Sequence, residues 1–129
     1  MAKSFRELIV WQKSMRLTVA IYQLTKGFPR EELYGLTNQI RRAAVSLPSN
    51  IAEGYGRINS GEYKQFLGIA RASNFELQTQ LQLARELGMG DVNQIEFAEG
   101  LSHEVGKMIY AALKSLQSPR AKEPQGSDL

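Results

Sequence analysis

Gln39-Ile40-Arg41-Arg42-Ala43-Ala44-Val45-Ser46-Leu47-Pro48-Ser49-Asn50-Ile51-Ala52-Glu53-Gly54 is the stretch on which the fold turns. Its apolar residues, Ile40, Ala43 or Ala44, Leu47 and Ile51, recur at steps of three and four and so fall on one face of a helix. Pro48 stands in the middle of that helix. It has no N–H, and its ring presses on the carbonyl of Ala44, so the chain either bends there or breaks into two short helices. Because the apolar period resumes in register after Pro48, the kinked helix is the better reading. Ala43, Ala44, Ser46, Ser49, Ala52 and Gly54 are all small, which lets neighbouring backbone approach closely and marks a packing face.

Outward from this segment the chain reads as three more helices. The spacing predicts a first helix over residues 5–26, with Leu8, Trp11, Met15, Thr18, Tyr22 and Thr25 as its stripe. Val10, Leu17, Ile21 and Leu24 widen that stripe, and Gly27 ends the helix. Phe28, Pro29, Glu31 and Glu32 form a start signal for the second helix, in which Phe28 staples onto Leu33 and the glutamates sit in the positive first turn. That helix continues through Leu36 and the decisive segment to about residue 55. Asn59 with Glu62, and Asp91 with Gln94, have capping-box spacing and open helices three and four. Helix three places Tyr63, Phe66, Leu67, Ala70, Ser73 or Asn74, Leu77, Leu81 and Ala84 inward and stops at Gly88. Helix four does the same with Ile95, Ala98, Leu101, Val105, Met108 or Ile109, Ala112 and Leu116. No stretch alternates with period two as a half-buried strand does.

Four helices joined by short connections are antiparallel neighbours, so the expected architecture is an all-α, up-down-up-down four-helix bundle over residues 1–117. Residues 118–129, with two prolines, a glycine and no apolar stripe, read as a disordered tail. A chain of 129 residues with 43% hydrophobic and 22% charged residues is one globular domain. Ile9, Val19, Phe75 and Leu83 fall off the stripes, as either scattered exposure or a seam for self-association. No apolar run approaches the roughly twenty residues of a membrane span, and no secretory leader is recognisable, so a cytoplasmic, soluble protein is expected.

Chemistry of the catalytic kind is hard to find. The sequence has no cysteine, which removes disulfides, thiolate nucleophiles and cysteine metal sites. His103 is the sole histidine, four residues from Glu99; a di-iron bundle needs two Glu-x-x-His repeats, so no metal or other cofactor is expected. Gly54-Tyr55-Gly56 closes a helix, whereas a phosphate loop opens one. No nucleophile has a base at a recognisable spacing, and the chain is not expected to be an enzyme. Gln39, Ser46 and Asn50 with Ser73 and Glu76 lie close to the apolar stripes and must be paired, either as a register-fixing network or as a ligand pocket.

The charge distribution is more informative. Net charge is +3 and the pI is 9.3. Within residues 1–30, Lys3, Arg6, Lys13, Arg16, Lys26 and Arg30 are opposed by Glu7 alone, whereas residues 91–117 are acidic on balance. Lys13 and Arg16 on helix one, Arg41 and Arg42 on helix two, Arg57 in the following loop, and Lys64 and Arg71 on helix three form a candidate nucleic-acid-binding set. Arginine suits phosphate through its planar fork, and lysine adds point charge.

The segment 39–54 resembles the signature of the four-helix-bundle family encoded by intervening sequences of 23S ribosomal RNA genes. The likeness extends to Trp11 with Lys13, to Tyr22, to Phe28-Pro29 with Glu32 and Leu36, and to Ala70-Arg71-Ala72-Ser73 with Glu76-Leu77. Ala72 departs from the family's more frequent glycine and places a methyl at an expected close helix contact. The resemblance implies a homopentamer, a ring of bundles. It also brings in the accessory variability proteins of diversity-generating retroelements, which bind nucleic acid through a basic channel and dock onto a reverse transcriptase. Two expectations follow: a non-enzymatic pentamer that holds RNA or DNA through phosphate without reading bases, or a scaffold for a protein partner such as a reverse transcriptase. In a ring each basic patch repeats, so feeble contacts add.

Overall fold

The computed structural model describes residues 4–57 and 59–117. Four helices carry the fold: α1 (Ile9–Thr25), α2 (Asn38–Tyr55), α3 (Ser60–Leu87) and α4 (Val92–Gln117). α1 packs on α2 and α4, α2 on α3, and α3 on α4, so the helices form a closed square in chain order. The architecture is the expected all-α antiparallel bundle, and no strand occurs among the described residues. The expected tail over 118–129 lies outside the described residues.

Both expected caps form. Asn59 Oδ1 accepts the Glu62 N–H at 2.8 Å, and Asp91 Oδ1 accepts the Asn93 N–H at 2.7 Å, satisfying orphan donors at the starts of α3 and α4. The left-handed residue closing α3 is Gly88 (φ 69°), after which the Met89 N–H returns to the Ala84 carbonyl at 2.8 Å.

The first helix begins later than its periodicity suggests. Ser4 caps a single 3₁₀ turn over Phe5–Glu7, and Leu8 is extended (ψ 126°) so that its side chain enters the core before α1 starts at Ile9. The buried face of α1 is also rotated from the expected stripe. Val10, Ser14, Leu17, Ile21 and Leu24 are inside, whereas Met15 and Tyr22 are exposed on the flank. α1 serves two neighbours, so its core line bisects the α2 and α4 contacts, and the broad apolar arc contains two lines of nearly equal hydrophobicity.

The second helix starts at Asn38, not near Pro29. Pro29 opens a 3₁₀ turn, Arg30–Glu32, followed by a wide turn over Leu33–Thr37 in which Gly35 leaves helical geometry (φ −109°, ψ −116°). The Glu32 carboxylate accepts the Leu36 N–H at 3.1 Å, so a side chain replaces the helical acceptor across the break. The expected staple does not form. Leu33 faces solvent, while Phe28 is buried among core residues and lies against Gly90 of the α3–α4 connection. Leu36 packs on the core in its place.

α2 runs through Pro48 without interruption. The reason is visible across the α1–α2 seam: Thr18 Oγ1 lies 2.9 Å from the Ala44 carbonyl, the acceptor that Pro48 leaves without a donor. The same hydroxyl is 2.9 Å from the Ser14 carbonyl, so one proton is shared between two helices. Thr18→Val keeps the shape and removes the donor, and is expected to cost about 1–3 kcal/mol in urea denaturation. In a Pro48→Ala background the restored N–H reaches Ala44, and the same substitution should cost clearly less. Equal costs in the two backgrounds would show that Thr18 does not compensate for the proline.

Ile40, Ala44, Leu47 and Ile51 of α2 meet Leu67, Ala70, Leu77 and Leu81 of α3 in one core, joined by Ile95, Ala98, Val105 and Ile109 of α4. Gly54 marks the closest approach, for a β-carbon there would lie 2.7 Å from Phe66 Cβ and 3.1 Å from Tyr63 Cδ1. Polar pairs set the register on both sides of α3. Ser73 Oγ meets Ser46 Oγ of α2 at 2.8 Å, and Asn50 Nδ2 donates to that Ser46 hydroxyl at 2.9 Å. On the other side, Asn74 and Ser102 of α4 exchange two bonds, at 2.7 and 3.0 Å. Ser73 and Asn74 are therefore both buried, each facing a different neighbour.

Candidate nucleic-acid interface

The seven basic residues do not form one patch on a single chain. They are distributed over all four seams of the bundle, and several are already engaged. At the α1–α4 seam, Lys13 pairs with Glu104, whose carboxyl is held below its usual range first by the hydrogen bond from Lys13 and then by the lysine's charge. The sign follows from linkage: this tie is complete above the ordinary carboxylate range and is lost as pH falls through the lowered value. Arg16 is exposed on the same seam, beside Met15, Val19 and Phe97.

Arg41 bridges α2 to α1. Its Nε donates to Thr25 Oγ1 at 2.8 Å, and its guanidinium lies 4.7 Å from the Tyr22 ring centre, which leaves it half-buried. Arg57 pairs with Glu53 at 2.7 Å and covers the Phe66 ring at 4.6 Å. These contacts occupy part of the fork that a phosphate would use. Arg42 is exposed at the α2–α3 seam, in a polar cleft of about 340 Å³ shared with Gln39, Ser46, Ser73 and Glu76. Four residues of the polar constellation read from the sequence thus line one cleft, with the Glu76 carboxylate there to offset the arginine.

Lys13 and Arg16 share the α1–α4 seam with Glu104 between them, whereas Lys64 and Arg71 are brought together without a carboxylate. The latter two lie at the α3–α4 seam around a shallow cleft of about 300 Å³, with Lys114, Tyr110, Leu113, Gly68 and Gln117 completing its lining. No carboxylate lines it, and none of the three cations joins an ion pair among the described residues. The Arg71 guanidinium lies 5.1 Å from the Phe75 ring centre and 5.7 Å from that of Tyr110, so two aromatic side chains flank it. Lys114 approaches Tyr110 from the next turn of α4, at 5.8 Å. Lys114 and Tyr110 escaped the reading of the sequence because residues 91–117 are acidic on balance. The antiparallel pairing of α3 and α4 was the available signal, since it places the last turns of α4 beside the first turns of α3.

Apolar surface is left on two different sides. Val19 and Phe97 are exposed on the α1–α4 side, and Phe75 and Leu83 on the outer face of α3. Ile9 is likewise exposed, as its position off the stripe suggested. Ala72 is exposed as well, so the methyl that distinguishes it from glycine occupies no close contact within the chain. Among the described residues, no helix is long and apolar enough to cross a membrane.

Taken together, these features define an antiparallel four-helix bundle in which Lys64, Arg71 and Lys114 form a basic cluster on the seam between the two longest helices. The chain belongs to the family of 23S rRNA-intervening sequence proteins, whose sequence model matches residues 6–111. Among solved structures, it is similar to a protein of unknown function from the S23 ribosomal protein family of Bacteroides thetaiotaomicron VPI-5482. The TM-score is 0.76 at 25% identity, over 82% of this chain and 99% of that one. No curated protein matches.

Proposed function

We propose that this protein acts without catalysis, as a homopentameric bundle that holds RNA or DNA through the phosphate backbone. The observation that carries the reading is the convergence of Lys64, Arg71 and Lys114 on a cleft of the α3–α4 seam that no carboxylate lines, the Arg85–Glu99 pair lying further along the same seam. Cations released from internal pairing attract phosphate, and their binding free energy comes from displaced counterions, which is independent of sequence. One such cluster binds weakly, and five copies on one particle bind through multivalency.

The two apolar strips support assembly. They lie on different sides of the bundle, and a contact between unlike faces generates a ring when its rotation closes. Cytoplasmic residence accords with the same reading.

Fluorescence anisotropy with labelled RNA and DNA tests the reading directly. Binding is expected at about 50 mM salt and should weaken by orders of magnitude towards about 200 mM. Absence of binding at the lower salt, or binding indifferent to salt, would overturn it.

A second reading is a scaffold for a protein partner, such as a reverse transcriptase. It is favoured by Tyr34, which is 91% exposed on the turn between α1 and α2 with the exposed Leu33 beside it. Co-purification that survives nuclease treatment distinguishes this reading from the first.

A further inference from the structure

We infer that the α3–α4 seam takes single-stranded nucleic acid in preference to duplex, by stacking bases on Tyr110 while Lys64 and Lys114 hold the backbone. The inference rests on the proposed function and adds the form of the nucleic acid. Tyr110 is 51% exposed and lines the same cleft as the three cations, so its ring is open to a partner there. The Arg71 guanidinium lies 5.7 Å from the Tyr110 ring centre, so a cation is held beside the aromatic face. Lys64 on α3 and Lys114 on α4 line the cleft with Tyr110.

Cations beside exposed aromatic faces suit a strand whose bases are free. Every base has a π-face, so stacking tolerates any sequence, in keeping with a site that has no fixed fork aimed at a base edge. Duplex is disfavoured by shape. A single helix enters a major groove about 12 Å wide, but α3 and α4 lie side by side along this seam and neither can enter alone. Bases inside a duplex therefore stay out of reach of Tyr110, and only the phosphate contacts remain.

The test is anisotropy on the full chain with a labelled single strand of about 20 nucleotides and the matching duplex, at low salt. Single-strand binding is expected to be about tenfold tighter than duplex binding, and Tyr110→Ala should bring the ratio of the two affinities close to one. Tyr110→Phe should retain the single-strand preference and Tyr110→Leu should not, because the aromatic face is what matters. Equal binding of both forms, or a preference that survives Tyr110→Ala, would overturn this inference and leave backbone binding standing. Failure to bind either form would overturn both.

Discussion

Gly54→Val is expected to destabilise the bundle by about 3 kcal/mol, at the upper end of what overpacking costs. The substitution inserts three carbons where the first alone would meet Phe66 Cβ at 2.7 Å. A contact to Cβ cannot be relieved by a rotamer change, because that atom is fixed by the α3 backbone. α2 and α3 must separate, and the core shared by Leu47, Ile51, Leu67 and Ala70 opens with them. For a chain of this size the melting temperature should fall by roughly 10 °C. Gly68→Ala supplies the opposite sign on α3. A β-carbon there meets nothing within 4 Å, so only helix propensity changes, with a gain of up to about 1 kcal/mol. If Gly54→Val melted with the wild type, α2 and α3 would not be packed as closely as described.

That close approach also shows what a sequence can disclose. The small residues of 39–54 announced a close packing face, and Gly54 occupies one. The caps at Asn59 and Asp91 were legible because each pairs a short polar side chain with N–H groups two or three residues on, a purely local arrangement. The core of α3 was legible for a similar reason, as its apolar positions form one line.

α1 was harder. Val10-Leu17-Leu24 and Leu8-Trp11-Met15-Tyr22 are alternative lines on one broad arc, and only the positions of α2 and α4 decide between them. The start of α2 depends on Gly35 leaving the helix and on Glu32 reaching Leu36, and the Phe28–Leu33 staple was inferred from spacing that both helical and turn conformations share. How Pro48 fits required a partner 30 residues earlier, Thr18, which no local pattern reveals.

The basic set illustrates the same limit. Arginine and lysine positions are visible in the sequence, but whether each is engaged depends on its neighbours across a seam. Lys13 meets Glu104, Arg41 meets Thr25 and Arg57 meets Glu53, whereas Lys64 and Arg71 meet another cation, Lys114. The three that meet carry the functional reading.

Neutralising them together is the second large effect. Lys64→Gln, Arg71→Gln and Lys114→Gln combined removes charge from an exposed seam with little loss of packing, so the fold and the particle mass should be unchanged. Removing one cation from a phosphate lowers the salt slope by about one, and removing three should lower affinity at moderate salt on the order of a hundredfold. Lys26→Gln with Arg30→Gln, on the exposed connection after α1, also lowers net charge but touches no part of the seam, and should weaken binding only slightly. Comparison of the two variants separates a located site from a general attraction by a basic particle.

The most direct measurement is therefore the affinity of the triple variant for a labelled RNA strand, with melting temperature and light-scattering mass taken on the same sample. A folded particle of wild-type mass with a nearly abolished affinity and a flattened salt dependence is the predicted result. Wild-type affinity in that folded variant would contradict the assignment of backbone binding to the seam between α3 and α4.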